Sequence, residues 1–458
     1  MITTEDVVRA TGGILLNGDM RITFTGVSTD SRTVKPGELF VALKGARFDG
    51  HQFVLEAFEN GAKGAIVSRW PENMNIFDLH RALSLIQVED TLKALGDLAA
   101  LVRKRFSGRV IGITGSCGKS TTKELLAQIL TGHFKVVKNP GNWNNLIGVP
   151  LSIFQAPERA DVWVLELATN QPGEIARLTE IVDPDVAVLV SVHPSHLEGL
   201  GDLKGVLREK LALFEGAKIG STLIYPYDQP EVRERVRSLS SGHRFLSFGF
   251  EEGAEVRADK LRLDRRGTHF GLIYQGEEVE VSLPLFGRHF VLDALAAAAA
   301  ALALGLRLSQ VAERLSQGRT LSGRLELKPL GKHLLLDDTY NANPASLEAA
   351  CEAVKALAGE FSRRIAVIGD MKELGQAAEE LHQEAGKRLS SVFDYVLAVG
   401  DYAQAIAQGA GSKAEVFSDK EGLIERLLSL LDQPSLILVK GSRAMRMEEV
   451  IQALEEKI

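Results

Sequence analysis

The chain has 458 residues, too many for one ordinary hydrophobic core, so about three domains are expected. Apolar residues at 45% and charged residues at 25% are globular proportions, and a net charge of -7 offers no attraction for nucleic acid or an anionic membrane surface. Cys117 and Cys351 are too few and too far apart for a disulfide framework or a metal cluster, which suits a reducing cytoplasm.

The N-terminus, MITTEDVVRATGG, carries acidic residues and no long apolar core, so no signal peptide is expected there. Residues 1–105 form a first block of short strand-like runs, ELFVAL and GAIVS, ending in a helical segment from Thr91 to Arg105. A second block, 106–320, alternates apolar strands (VIGIT, VWVLEL, VAVLVSV, TLIYPY) with helical segments, the pattern of a parallel sheet covered on both faces. Residues 244–286 switch to period-two alternation and predict an antiparallel hairpin appended to that sheet. The alanine-rich stretch from Ala294 to Leu306 is too short to span a bilayer and reads as a packing helix, so no membrane insertion is expected. The third block, 321–458, repeats the alternation with HLLLDD, RRIAVIGD, YVLAVG and SLILVKG, predicting a Rossmann-like domain. Its polar loops DDTYNANP, GDMKELG, GDYA and KGSR follow strand C-termini, where open parallel sheets bind ligands. The fold class is therefore three-domain α/β with a cleft able to close around a nucleotide.

One segment carries explicit chemistry. Residues 112–122 read GITGSCGKSTT, between an apolar strand and the helical run KELLAQIL. Small residues at Gly115, Ser116, Cys117 and Gly118 let backbone N–H groups converge on a phosphate, and a helix N-terminus adds positive potential. Lys119 can serve the phosphates, and Ser120 and Thr121 can serve phosphate and Mg2+. Strict P-loop spacing would place glycine where Ile113 stands, so the string is a variant. Cys117 is a small turn residue whose thiol pKa the loop's positive potential would depress.

A bound Mg2+ needs further hard ligands. Glu166 ends the run VWVLEL and would project from the sheet edge beside the loop, although a salt-bridged or capping glutamate fits the same position. His196 follows VAVLVSV and reaches the same edge; His193 is an equally placed neighbour, and spacing does not choose between them. Lys210, among Arg208 and Glu209, reads from composition as part of a solvated face. Lys440 and Arg443 in KGSR read as a basic loop or, more sharply, as an anion clamp.

Together these segments resemble the Mur ligases of bacterial cell-wall synthesis. The resemblance runs through STDSR (28–32), PGELFVALKGARFDGHQF (36–53), GITGSCGKSTTKE, GNWNNLIGVPLSIF (141–154) and SHLEGLGDLKGVLREKLALF (195–214). It continues through SGRLE (322–326), DDTYNANP (337–344), IGDMKELG (368–375) and LVKGSRAMRMEEVI (438–451). It implies an ATP-dependent amide ligase of peptidoglycan synthesis, working through an acyl phosphate, which adds D-alanyl-D-alanine to UDP-N-acetylmuramoyl-tripeptide. It implies a cytoplasmic monomer using ATP and two Mg2+ ions, with a carbamate on Lys210. It makes Lys119, Glu166, His196 and Lys210 the catalytic group and Ser120, Glu166, His196 and Lys210 the metal ligands. Asp293, Arg324 and Asp338 join the phosphate loop in binding ATP. Ser31, Arg32, Lys44, Asp49, Gly50 and His51 are the expected contacts of the uridine diphosphate end. Asn144, Asn145, Asn341, Asn343, Lys440, Ser442 and Arg443 complete the substrate set.

The chain departs from the family pattern at Phe290 and Asp293, which stand where asparagines near the adenine are usual; Asp293 can still accept a hydrogen bond from the adenine amino group. Leu146 replaces an acidic residue, and ATNQPGEI follows Glu166 in place of a glycine-containing string. Two alternatives are weighed against the dipeptide-adding reading. One is another ligase of the superfamily, third-residue-adding or folylpolyglutamate-type, disfavoured by DDTYNANP, GDMKELG and KGSR and by the lack of a DNPR string. The other is a non-catalytic nucleotide-binding relative, disfavoured by the presence of Lys119, Glu166, His196 and Lys210. No NKxD string supports a GTPase.

Overall fold

A computed structural model describes residues 2–458 except 46–47, 73, 76–78, 158, 196, 240–241, 265 and 319–321, and the side chains of residues 197, 198 and 360. The N-terminal part holds a five-stranded sheet in the spatial order Ile14–Asn17, Ser84–Gln87, Gly64–Val67, Leu39–Val41, Val27–Ser28, with the first strand antiparallel to its neighbour. A two-stranded ribbon of Ile2–Thr3 and Thr23–Phe24 flanks it.

The helix Thr91–Arg105 joins this part to the next. Asp90 starts it by accepting from the N–H groups of Leu92 (2.8 Å) and Lys93 (3.0 Å), and Arg103, Lys104 and Arg105 occupy its last turn, where the helix dipole favours cations. Arg103 is buried in the central part, donating to the carbonyls of Val182 (2.8 Å) and Asp183 (2.8 Å) and to the Asp185 carboxylate (3.1 Å). Those carbonyls belong to a helix end, whose last C=O groups lack intrahelical partners. Phe106 then stacks on Trp163 with ring centroids 4.0 Å apart.

The central sheet has nine strands, in the order Glu277–Leu283, Gly267–Tyr274, Val256–Asp264, Arg244–Gly249, Thr222–Pro226, Val186–Leu189, Arg109–Thr114, Val162–Glu166, Val136–Lys138. Every residue of Val162–Glu166 and Val186–Leu189 is buried, as a parallel sheet covered on both faces requires. Arg109–Thr114 lies between them, and the chain leaves it toward one neighbour and later returns on the other side. This is a topological switch point, where doubly wound sheets open a crevice at the strand C-termini. The expected hairpin is a three-stranded antiparallel meander: Arg244–Gly249 still pairs in parallel with the start of Val256–Asp264, and only the next two turns reverse the chain.

The alanine-rich helix, Arg288–Ala303, is almost wholly buried against the P-loop helix Lys119–Leu130; methyl side chains allow that close approach. Phe290 is 4% exposed and belongs to the same apolar core, so its position is a packing position. This core continues without a break into the C-terminal part through Leu336, Leu347, Ala350 and Met371. There a six-stranded sheet runs Glu326–Leu330, His333–Asp338, Ser435–Lys440, Arg363–Ile368, Tyr395–Val399, Ala414–Phe417, parallel except at its first strand. Among the described residues, no helix is long and apolar enough to cross a membrane.

Replacing Arg103 by methionine removes the donors that satisfy two helix-end carbonyls and part of the Asp185 charge. Arg103→Met is expected to lower unfolding free energy by about 2–4 kcal/mol in urea titration; a change below about 0.5 kcal/mol would show that water satisfies those carbonyls equally well.

Candidate active site

The centre of the site is the N-terminus of the helix Lys119–Leu130. Gly118 precedes it in the left-handed conformation (φ 81°), and a Cβ there would stand 2.0 Å from Asp293 Oδ1, so only glycine fits. Backbone contacts hold the loop open from below: Ser116 N donates to Ser191 O (2.8 Å) and Cys117 N to Ser191 Oγ (3.1 Å). Ser116 Oγ donates to His193 O (2.8 Å) and accepts from His193 N (2.9 Å), which makes the His193 backbone, whatever its ring does, a support of the loop. Lys119 Nζ curls over the loop and donates to Gly115 O (2.8 Å). Ser120 and Thr121 follow in the first helical turn.

Glu166 is 1% exposed at the end of its strand. Asn144 donates to its Oε1 (2.9 Å), and Asn139 clasps its backbone, accepting from Glu166 N (2.9 Å) and donating to Glu166 O (3.0 Å). The buried Lys123 donates to Asn139 O (2.9 Å) and Gly141 O (3.2 Å) and stands 3.7 Å from Glu166 Oε2, which has no hydrogen-bond partner. Sequence reasoning missed Lys123 and Asn139. The signal for Lys123 was its place one helical turn after Lys119, on the same face. Asn145, expected at the substrate, instead turns its side chain onto the N–H groups of Ile147 (3.1 Å) and Gly148 (2.8 Å) and starts the helix Gly148–Gln155.

Lys210 is not on a solvated face. It is fully buried, its Nζ has no hydrogen-bond partner, and burial together with the Lys119 cation, against the opposing pull of Glu209, brings its amine down to about 7. Its neighbour Glu209 is spent on structure, accepting from the N–H groups of Gly173 (2.8 Å) and Ile175 (2.8 Å) at the start of a helix. His196 lies outside the described residues.

The C-terminal part reaches this centre from the other side. Arg324 donates to Thr121 Oγ1 (2.8 Å) and lies over the Tyr340 ring, 4.0 Å from its centroid. Asn343 Nδ2 donates to Cys117 Sγ (3.2 Å) while its Oδ1 accepts from Ser346 N (2.8 Å) and starts the helix Pro344–Leu357. The expectation of a lowered thiol pKa at Cys117 is corrected here: burial pushes it up, outweighing Lys119. Asp338 and Lys440 end neighbouring parallel strands in register, so their side chains meet as a buried ion pair, and Lys440 also donates to Asn341 O (3.0 Å). Ser442 lies beside them, whereas Arg443 is exposed and paired with Glu448 (3.1 Å).

Asp293, expected at the adenine amino group, is placed otherwise. It is buried beneath the phosphate loop, against Gly118 and hydrogen-bonded to Thr121. Burial pushes its carboxyl up to about 8, against the pull of Arg324 and Thr121.

The expected uridine-end residues divide in two. Arg32 is exposed and forked on Asp30, and Lys44 is exposed. Ser31 is buried and donates to Glu56 (3.1 Å), and Gly50 N bonds Leu43 O (2.8 Å). His51 is corrected as a contact: it is 3% exposed, its Nε2 accepts from Ser68 N (2.9 Å), and its Nδ1 therefore donates to Asp49 (2.6 Å). Asp49 also holds Arg69 (2.8 Å); burial would raise its carboxyl, but His51 and Arg69 prevail and bring it to about 2.

A phosphate-binding loop at a switch point, contacted by a second α/β sheet through Arg324 and Asn343, defines a nucleotide-binding P-loop protein. Family models agree: the Mur ligase catalytic domain matches residues 23–103, the Mur ligase middle domain 113–301, and the Mur ligase glutamate ligase domain 323–443. The chain belongs to the Mur ligase family. It is 37% identical to a UDP-N-acetylmuramoyl-tripeptide--D-alanyl-D-alanine ligase of Escherichia coli, covering 96% of this chain and 97% of that one. It is 34% identical to the Bacillus subtilis enzyme of the same name, covering 99% and 98%. The crystal structure of MurF from Acinetobacter baumannii superposes with a TM-score of 0.91 at 34% identity, covering 99% of each chain. MurF ligase from Thermotoga maritima in complex with ADP gives 0.85 at 32%, covering 95% and 98%.

Asp293 supplies a test of this geometry. A carboxyl whose folded pKa lies near 8 and whose unfolded value is 3.8 takes up a proton on folding between those limits, so its contribution to stability falls as pH rises through that window and is constant above it. The stability of Asp293→Asn relative to the unsubstituted protein, from urea unfolding, is therefore expected to grow from about pH 4 to 8 and then level off; a difference independent of pH would show a carboxylate ionised throughout.

Proposed function

We propose that this protein is an ATP-dependent ligase that joins D-alanyl-D-alanine to UDP-N-acetylmuramoyl-tripeptide, yielding the UDP-linked pentapeptide of peptidoglycan synthesis with ADP and phosphate. The observation that carries this reading is the end-to-end similarity to enzymes named for that reaction, at 37% and 34% identity.

An amide does not form from a carboxylate and an amine in water without activation, and ATP supplies it. The tripeptide carboxylate attacks the γ-phosphorus and ADP leaves; the dipeptide amine then attacks the acyl phosphate carbon, expelling phosphate. The loop Gly115 to Thr121 binds the phosphates: with Ser116 N and Cys117 N held by Ser191, the N–H groups at the helix N-terminus face the nucleotide, and Lys119, freed from Gly115 O, swings to the transferring phosphoryl group. Arg324 and Asp338 meet the nucleotide from the third-domain side. Ser120, Glu166 and Lys210 would hold Mg2+, and the fit rests on two buried atoms without hydrogen-bond partners, Glu166 Oε2 and Lys210 Nζ. When bound, the metal supplies positive charge against the phosphoryl oxygens.

Lys210 suits this task only after modification, since an ammonium cannot ligate a cation. With its pKa near 7, much of the amine is neutral at physiological pH, the form that attacks CO2 with loss of a proton to give a carbamate. Arg32 and Lys44, exposed on the first domain, take the uridine diphosphate end. Lys440, Ser442 and Arg443 receive the dipeptide carboxylate. The contacts of Arg324 with Thr121 and of Asn343 with Cys117 draw the third domain over the loop, and that closure keeps water from the acyl phosphate. All these groups lie in one chain, so a monomer suffices.

Phosphate release from ATP and Mg2+ is expected to require both UDP-N-acetylmuramoyl-tripeptide and D-alanyl-D-alanine, with a UDP-pentapeptide detected by mass; release without that product would sink the reading. Lys210→Ala is expected to be inactive and partly restored by a short carboxylic acid, and 13C-labelled bicarbonate should give a carbamate NMR signal that the substitution abolishes. Normal turnover of Lys210→Ala without additive would remove the carbamate.

A further inference from the structure

Four adjacent strands of the C-terminal sheet, His333–Asp338, Ser435–Lys440, Arg363–Ile368 and Tyr395–Val399, end at one edge, and the polar loops that follow them meet around a single side chain. Asp370 is fully buried. Its carboxylate accepts from Asp401 N (2.9 Å), Tyr402 N (3.0 Å) and Lys372 Nζ (2.7 Å), and its carbonyl accepts from Ser442 N (2.9 Å). The chain of contacts continues through Ser442 Oγ, which accepts from Lys372 N (2.8 Å) and donates to Ala342 O (3.4 Å). Beside it Lys440 donates to Asn341 O (3.0 Å) and pairs with Asp338. Gly400 makes room for this hub: its φ is +125°, and a Cβ would stand 2.4 Å from Asp370 Oδ1.

None of these bonds belongs to a helix or a sheet ladder, and the apolar cores on the two faces of this sheet hold it together without them. Burying a carboxylate is costly unless it is fully satisfied, so placing one beneath four loops needs a reason other than packing. The reason lies in what the loops carry. Ser442 is bonded to Asp370 directly and Lys440 to the preceding Gly369, at the sheet edge whose neighbouring loop reaches Cys117 through Asn343. A small zwitterionic ligand with one carboxylate and one attacking amine must be held to within a fraction of an ångström, and loops achieve that only when tied to one another.

We infer that Asp370 is a positioning residue for the amino substrate: its carboxylate locks its own loop to Asp401, Tyr402 and Lys372, and the backbone of that loop in turn holds Ser442, beside Lys440, where the dipeptide carboxylate is received, without Asp370 touching the substrate itself. This inference rests on the dipeptide-adding reading given above.

The test is steady-state kinetics of full-length Asp370→Asn with each substrate varied in turn. Asparagine keeps the size of the side chain but loses the charge that Lys372 and two N–H donors face. The KM for D-alanyl-D-alanine is expected to rise about tenfold or more while those for ATP and the UDP-tripeptide stay within about twofold and kcat falls less than KM rises. Lys372→Met, at a half-buried position, is expected to raise the same KM about threefold with the fold unchanged by circular dichroism. A dipeptide KM within about twofold of the unsubstituted enzyme overturns the inference, as does a parallel rise in all three constants, the mark of general loosening. If Asp370→Asn does not fold, Lys372→Met decides by the same criterion. An unsubstituted enzyme that makes no pentapeptide in this assay overturns the functional reading itself, whereas ligation with unmoved KM values overturns only the role of Asp370.

Discussion

A helix can offer backbone N–H groups to a cluster of phosphates only where it begins, because everywhere else along it those groups are already bonded. The molecule is organised around one such beginning, at Lys119. Its strand, Arg109–Thr114, sits at the switch point of the central sheet, so the neighbouring strands deliver Glu166 on one side and the supports Ser191 and His193 on the other. The helix is then clamped from behind by the alanine-rich helix, whose Asp293 fills the space that a Cβ on Gly118 would need.

Burial gives the site its electrostatic character. Lys210 and Asp293 are both forced toward neutrality, the first by desolvation beside another cation and the second by desolvation alone, outweighing Arg324. Buried ionisable groups are ordinarily hydrogen-bonded; here Lys210 Nζ and Glu166 Oε2 are buried without a hydrogen-bond partner, Lys123 standing 3.7 Å from the latter. Such groups destabilise a fold, and a chain retains them where a ligand completes them. The third domain shows the opposite arrangement, since Asp338 with Lys440, and Asp370 with its three donors, are satisfied within the protein. One side of the cleft is thus poised to be completed by an incoming charge, and the other is already set.

The central and C-terminal parts share a continuous apolar core, the N-terminal part has its own, and a few polar contacts couple the three. Arg103 anchors the first part to a helix end of the second, while Arg324 and Asn343 bring the third onto the phosphate loop itself. Because these last two bonds end on Thr121 and Cys117, the third part rests on residues of the phosphate loop itself. Such contact links occupancy of the loop to the position of the third domain.

Much of this was legible in the chain. Periodic apolar runs such as VWVLEL and SLILVKG marked buried parallel strands because burial on both faces leaves no alternation, and glycines before a Lys-Ser pair marked the phosphate loop because few other residues permit that backbone. Local sequence also located the polar loops at the strand ends. What it could not decide was which polar groups would be consumed by the protein. His51 and Asn145 look like available ligands in the sequence and are spent on internal hydrogen bonds, while Glu209 and Lys210 look like surface charges, and the first is spent on a helix start and the second buried without a hydrogen-bond partner. Lys123 and Asp370 drew no attention, yet each ties together loops from distant parts of the chain. Strand and turn preferences are written in neighbouring residues, whereas the burial and partners of a charge depend on segments brought together from tens to hundreds of residues away, and only the tertiary structure settles those.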